Sequence, residues 1–477
     1  MASISSTGVG SGLDVNTIVT QLMSVEQRPL TLLQTTASGI QTKLSAFGTL
    51  QGQIASLGDV VTRIADPSAW NPMRVDLGDS SVATATATTA ASAGAHSLEV
   101  EQLAKSQVLA SGPFLPATKP VGTGKLTIEL GTTTNGVFAP RDGSSPVPIT
   151  IDSSNQTLAG IRDAINASKA GVTASIVTGS GGAQLVLRGG DGAAGSMRIL
   201  VADDDNDDTN AAGLSQLAYD PAAGAAAGRN LTQTQQAQDA KFSIDGVALT
   251  SATNTPSDAL QGVTITLKGE TGGPVALNVA VETTAVRKNI NDFVNAYNAL
   301  NTLVRNQTQA DPTGKANGAL QADSTAVSLL NQMRALLQGQ VIGAASTSSS
   351  LSVAGIAIQR DGSLQVTDAK LTPLLSDPAQ LAKLFAQPQA GTDAGSRGFA
   401  VRFKAWAKAL TGDAGALQSR LDGLKRSQSD NQKRQDAEND RLARKEAALR
   451  AQYQALDTQM TTLNQRMAQM KSALGLS

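Results

Sequence analysis

Apolar residues along this chain recur with two different periods, and the switches between them divide it. Asp14 is placed to N-cap a short helix carrying Val15, Ile18, Leu22 and Met23, and Pro29 interrupts that pattern. From Leu33 heptads take over: Leu33, Ile40, Phe47, Ile54 and Val61 share one position, with Leu50, Leu57 and Ile64 three residues on. A second helix is predicted where Val286, Ile290, Phe293, Tyr297, Leu300 and Val304 alternate steps of four and three. A third closes the chain. Leu442, Leu449, Leu456, Leu463 and Met470 form one seam position, and Tyr453, Met460, Met467 and Leu474 the other.

Between the first two heptad helices the period becomes two, with Pro- and Gly-rich joints near 66–73 and 112–124. Val147, Ile149 and Ile151 alternate as a strand, and Leu158, Ile161 and Ile165 form a helical face. Val172, Ala174 and Ile176 alternate again, and Leu185 and Leu187 continue the sheet. Outside this block, Ser97 to Val100 reads as a strand, and Phe242 to Leu249 as a hairpin turning at Asp245-Gly246. Val263, Ile265 and Leu267, then Val275 to Val281, extend that flanking unit. A further hairpin turns at Asp361-Gly362, and Asp377-Pro378 reads as an N-cap followed by the first helical position.

The expectation is a multidomain α+β fold: an N- and C-terminal coiled-coil or helical-bundle domain with nested β-rich insertion domains. Residues 1–40 and 440–477 are expected to be terminal helices. Residues 41–75 and 283–439 are assigned to a helical bundle with a small β-hairpin, 76–113 and 232–282 to an inner β domain, and 114–231 to an outer α/β-rich domain. A single apolar stripe recovers less on burial than ordering its helix costs, so the helix from Leu33 to Ile64 must pack on the other two. No further apolar domain is large enough to cover both ends. They are therefore expected to be mobile in the monomer and to order on assembly, with methionines adapting to imperfectly matched neighbours.

Composition sharpens this picture mainly by exclusion. Only 3% of residues are aromatic against 40% hydrophobic, which points to light, aliphatic cores. Thirty-eight basic and 39 acidic side chains leave a net charge of −1, so no overall field draws the chain to nucleic acid or to an anionic membrane. The last helix interleaves its basic residues with acids and Gln, as a solvated coiled-coil exterior does. There is no cysteine and one histidine, His96, read as a plain edge residue at a strand start. Nucleophilic catalysis and a thiolate or imidazole metal site lack their parts, so neither an enzyme nor a cofactor is expected. Gly124-Lys125 and Gly314-Lys315 lack the phosphate-loop pattern and read as turns, and Gly8, Gly10 and Gly12 as a flexible head. The run Asp203 to Asp208 lacks the glycine and glutamate of an EF-hand and reads as a solvated loop. No stretch has the charge and apolarity of a secretory peptide or a membrane span.

Several segments carry a resemblance. Gly10-Ser11-Gly12-Leu13-Asp14-Val15 leads into Ile18-Val19-Thr20-Gln21-Leu22-Met23, with Lys43-Leu44-Ser45-Ala46-Phe47-Gly48 farther on. Thr157 to Asn166 reads TLAGIRDAIN, Gly171 to Val177 reads GVTASIV, and Phe293 to Asn298 reads FVNAYN. In order and spacing these segments resemble the bacterial flagellar filament-capping family, flagellar hook-associated protein 2.

The resemblance implies a homo-oligomeric cap ring at the distal filament tip, secreted through the flagellar type III route. Its helical ends would dock on the filament as legs, and its β domains would form a plate beneath which flagellin is folded and inserted. Partners implied are other copies of the chain, flagellin, the hook-associated junction proteins and an export chaperone at the C-terminal helix. The assembly interface is assigned to Leu13, Ile18, Leu22, Met23, Leu33, Ile40, Phe47, Leu442, Leu449, Tyr453, Leu456, Met460, Leu463, Met467, Met470 and Leu474. Two rival readings are a hook-filament junction protein and a surface adhesin whose β domains bind host mucin or glycans.

Overall fold

The computed structural model describes residues 14–313, 317–344, 349–390 and 394–473. Leu13, Leu474, the glycines before Asp14 and the pair Gly314-Lys315 lie outside these residues. Asp14 accepts from the Thr17 amide at 3.0 Å and starts helix α1, Val15–Glu26. The helix breaks at Gln27, and Pro29 sits in the first turn of α2, Arg28–Ile64, where a missing N–H costs nothing. Phe47, Leu50, Ile54, Leu57, Val61 and Ile64 are all buried, whereas Leu33 and Ile40 at the start of the same stripe are only half-buried.

Two compact units are present, Met1–Trp70 with Thr283–Ser477, and Asn71–Glu282. The second is β-rich. Its strands are β1 Met73–Leu77, β2 Ala83–Ala87, β3 Gly94–Gln102, β4 Val108–Ala110, β5 Gly124–Thr134, β6 Val137–Pro140 and β7 Val147–Ile151. Helix α3, Leu158–Ala167, precedes β8 Thr173–Gly179, β9 Gly182–Arg188, β10 Ser196–Asp203, β11 Tyr219–Ala225, β12 Ala227–Arg229 and β13 Thr232–Gln235. The unit ends with β14 Ala240–Ile244, β15 Val247–Ser251, β16 Val263–Leu267 and β17 Val275–Val281.

An antiparallel sheet in the order β1-β17-β3-β14-β15 and the pair β16-β2 share one aliphatic core, in which Leu98, Val100, Ile265 and Leu277 are buried. Asp245 and Gly246 both take positive φ (52° and 79°), the turn that matches the strand twist between β14 and β15. A second core, around Ile128, Ile161, Leu185 and Ile199, lies among α3, the sheet β12-β11-β10-β5-β6 with β7 also on β5, and the sheet β13-β4-β9-β8. Thr157 caps α3 by accepting from the Gly160 amide. Strand β8 ends its sheet, and Asn166 fills part of its outer edge, donating to the Ala174 carbonyl at 2.9 Å and accepting from its amide at 2.8 Å.

Three expectations are corrected in this unit. His96 lies on β3, in the middle of its sheet, with Nδ1 2.7 Å from Asp245 Oδ2 across to the β14–β15 turn. Gly124-Lys125 opens β5 rather than forming a turn, and at Gly124 a Cβ would meet the Ala202 carbonyl oxygen at 2.2 Å. The acidic run is not uniformly solvated. Asp203 ends β10 largely buried, and its carboxylate accepts from the Ser215 amide at 2.7 Å and hydroxyl at 3.0 Å, organising the loop between them.

The return chain supplies α4 Thr283–Thr308, α5 Ser324–Leu337, the hairpin β18 Ile356–Ile358 and β19 Leu364–Val366, then α6 Asp368–Leu375, α7 Pro378–Ala386, α8 Phe399–Thr411 and α9 Ala416–Ala473. Val286, Ile290, Phe293, Tyr297, Leu300 and Val304 of α4 are buried against α2 and its neighbours. Asp377 precedes α7 but makes no backbone cap; its carboxylate accepts from the Gln380 side chain instead. The core here is not light and aliphatic. Both tryptophans, four of the eight phenylalanines and Tyr297 form one connected aromatic network, with Trp70 stacked on Phe385 at 4.8 Å between centroids.

Candidate assembly surface

Helix α9 carries the C-terminal heptad stripe, and its surroundings change along its length. At its start Leu417, Leu421 and Leu424 are buried in the bundle, and Arg420 donates to Asp323 Oδ2 at 2.6 Å. The same seam then turns polar at Gln428, Asn431, Gln435 and Glu438, the positions reached by steps of four and three from Leu424. Gln428 donates to Gln41 of α2 at 2.9 Å, Asn431 is buried, and Thr36 and Ile40 share a small cleft with Ser427 and Asn431.

Farther on α1 returns to cover α9. Val15, Val19, Met23 and Leu442 are buried together, with Leu30, Leu449 and Tyr453 partly buried against them. The buried face of α1 is thus Val15-Val19-Met23; Ile18 is half-exposed and Leu22 exposed, because spacing by four puts Val19 on the inner face. Arg441 bonds Glu26 at 3.0 Å and Glu438 at 2.9 Å, and those hydrogen bonds hold the guanidinium pKa above its ordinary value. Arg450 donates to Asn16 at 3.0 Å, so polar contacts fix the pairing of α1 and α9 in register.

Beyond Tyr453 nothing among the described residues covers the stripe. Leu456, Leu463, Met467 and Met470 are 41%, 54%, 50% and 61% exposed, and Met460 is half-buried. Four large apolar side chains stand exposed on one face of the helix, the kind of surface that marks an interaction site. The structure thus separates the assigned residues it describes, Leu13 and Leu474 lying outside them. Phe47 belongs to the bundle core; Met23, Leu442, Leu449 and Tyr453 join α1 to α9; Leu456 to Met470 stand open.

Sequence reasoning missed the polar part of the seam and helix α8. The first is legible by stepping back from Leu442 to Gln435 and Gln428. The second is legible as Phe399, Phe403 and Trp406, an i, i+4, i+7 face that enters the aromatic network. Among the described residues, no group of three or more Asp, Glu or His side chains is arranged to hold a metal ion, and no helix is long and apolar enough to cross a membrane.

Comparison with known proteins agrees from end to end. Residues 11–107 match the pattern of the flagellar hook-associated protein 2 N-terminus, residues 237–465 that of its C-terminus, and residues 125–191 the flagellin hook IN motif. The A-type flagellar hook-associated protein 2 of Pseudomonas aeruginosa is 31% identical over 98% of this chain and 96% of its own length. Flagellar hook-associated protein 2 of Escherichia coli strain K12 is also 31% identical, over 97% of this chain and 96% of its own. Among solved structures, the D1-D2-D3 domains of the flagellar cap protein FliD from Escherichia coli superpose with a TM-score of 0.64 at 27% identity, covering 80% of this chain and 99% of that one. Matched over nearly its whole length by relatives of one kind, the chain belongs to the flagellar hook-associated protein 2 family.

Proposed function

We infer that this protein is the cap at the distal tip of the bacterial flagellar filament, secreted and homo-oligomeric, and that it promotes the folding and insertion of exported flagellin while preventing its loss. The observation that carries the mechanism is helix α9, anchored in the bundle by Leu417, Leu421 and Leu424 and presenting uncovered apolar residues from Leu456 to Met470. A closed ring cannot match a helical filament at every subunit, so each docking contact has to be individually modest and re-formable. Unbranched methionines at Met460, Met467 and Met470 suit that demand.

In this reading residues 1–40 and 440–477 act as docking legs that become fully ordered on assembly. Residues 41–75 with 283–439 form the supporting bundle, and the β domains 76–113 with 232–282 and 114–231 form the plate. The assigned residues left partly or wholly uncovered, Ile18, Leu22, Leu33 and Ile40 with Leu456 to Met470, make the assembly contacts, while Phe47, Met23 and Leu442 are buried within the chain and support them; Leu13 and Leu474 lie outside the described residues. The exposed end of α9 is also the surface an export chaperone would cover before secretion, since an uncovered apolar stripe invites aggregation. The junction-protein and adhesin readings gain no support from the relatives, and the family is one of structural flagellar proteins rather than enzymes.

Deleting the encoding gene tests the function: flagellin should leak as monomer into the medium, and added purified protein should restore filament growth. Substituting Leu456→Asp with Leu463→Asp tests the mechanism. Docking should be abolished while the β unit stays folded, and filaments of normal length would refute it.

A further inference from the structure

In the helical unit, a groove of about 460 Å³ runs between the end of α2, the end of α7 and one face of α8. Its floor is small and apolar, made by Ala65, Pro67, Ala386, Pro388, Val401 and Ala405. Its rim is cationic. Arg397, Lys404 and Lys408 line the groove, and none of the three makes an ion pair among the described residues.

Among the described residues that charge is only partly compensated. From Gly395 to Gly412 the chain carries Arg397, Arg402, Lys404 and Lys408 and no carboxylate. Asp66, whose carboxylate accepts from the Ser68 hydroxyl and amide at 2.7 and 2.9 Å, also attracts Lys404 but makes no ion pair with it. Arg397 Nε is buried without a hydrogen-bond partner, a costly state for a donor on a charged group unless an acceptor arrives from outside. Helix α8, thirteen residues long, begins at Gly398, which offers no side-chain acceptor to the first-turn amides, so the helix dipole adds to the positive end of the groove.

We propose that this groove docks a short peptide segment of a partner protein in which apolar side chains are flanked by carboxylates. The apolar side chain fills the concave floor, one carboxylate meets the accessible part of the Arg397 guanidinium, and others face Lys404 and Lys408. A nucleic acid is less well served, because no aromatic face is offered in the groove for base stacking. A membrane surface is also less well served, because the apolar area is recessed rather than protruding. The site lies on the bundle, apart from the exposed end of α9, and its existence does not depend on the docking role assigned to that helix.

The test uses the full-length protein and a fluorescein-labelled peptide, Asp-Leu-Glu-Leu-Asp, with Lys-Leu-Lys-Leu-Lys as its control, read by anisotropy at low salt. The acidic peptide should bind and the basic one should not. Lys404→Glu with Lys408→Glu should weaken binding at least about tenfold, because each rim contact changes from attraction to repulsion. Ala405→Glu, an exposed helical position, should block the floor, with circular dichroism confirming that both variants remain folded. Absence of binding to the intact protein, equal binding of the basic peptide, or unchanged affinity in both variants would overturn the proposal. So would preferential binding to phosphatidylglycerol vesicles or to polyuridine RNA.

Discussion

The two ends of helix α9 carry the same kind of residue at the same spacing and meet different fates. Leu417, Leu421 and Leu424 are buried beside an aromatic network, whereas Leu456, Leu463, Met467 and Met470 face outward. Between them the seam runs through Gln428, Asn431, Gln435 and Glu438, whose packing offers little transfer free energy. A heptad stripe therefore specifies that a face is to be covered without specifying what covers it. The first end is part of the folded core, and the second, in the function proposed above, is held for assembly.

Removing an anchor from the aromatic core of the same helical unit, at Phe403 on α8, should have the largest effect on the isolated protein. Phe403 is fully buried and touches Phe293, Tyr297 and Trp406, so Phe403→Ala should cost about 4 kcal/mol of stability, measured by denaturant unfolding of the helical unit. A result near zero would erase the contrast between the two ends. Arg420→Ala should cost about 3 kcal/mol, because it strips the Asp323 carboxylate, itself almost wholly buried, of its cation.

Alkaline titration probes the same core. Burial pushes the Tyr297 phenol up to about 12, so the folded state holds its proton where the unfolded chain begins to lose it, near pH 10. Stability is fully present below about pH 10 and falls as pH rises toward about 12. Absorbance of the phenolate should therefore rise together with unfolding; ionisation of Tyr297 in the intact fold at pH 10 would contradict its burial. Thr157→Ala, which removes the cap of α3 in the β unit, should cost about 1 kcal/mol. The smallest effect is expected at the open end: Leu463→Ala should shift monomer stability by less than about 0.5 kcal/mol while still impairing filament growth.

Much of this organisation was readable in advance, for reasons that differ by region. The six apolar positions of α4 and the Asp245-Gly246 turn follow from local rules, periodicity and backbone handedness, that tertiary context only reinforces. Strand β5 was overlooked because its glycines at Gly124 and Gly131 look like joints. In fact each makes room for a neighbouring backbone, at Ala202 and Ala139. His96 was misplaced because sequence order does not reveal that β17 and β14 flank β3 from opposite sides. At the assembly surface the stripe itself was legible. Its division into covered, polar and open stretches was not, since that depends on where α1 folds back. The cationic groove escaped notice because its walls come from three separated segments.

The Asn166 side chain on the edge of β8 bears on life in a crowd. Subunits ranged side by side bring identical strand borders into proximity at very high local concentration, a setting in which an open border recruits its twin into a continuous ribbon. By presenting an amide that imitates a neighbouring strand, Asn166 takes up both main-chain groups of Ala174 from within the molecule. The border of β8 therefore has no free main-chain group at Ala174 to offer a second strand.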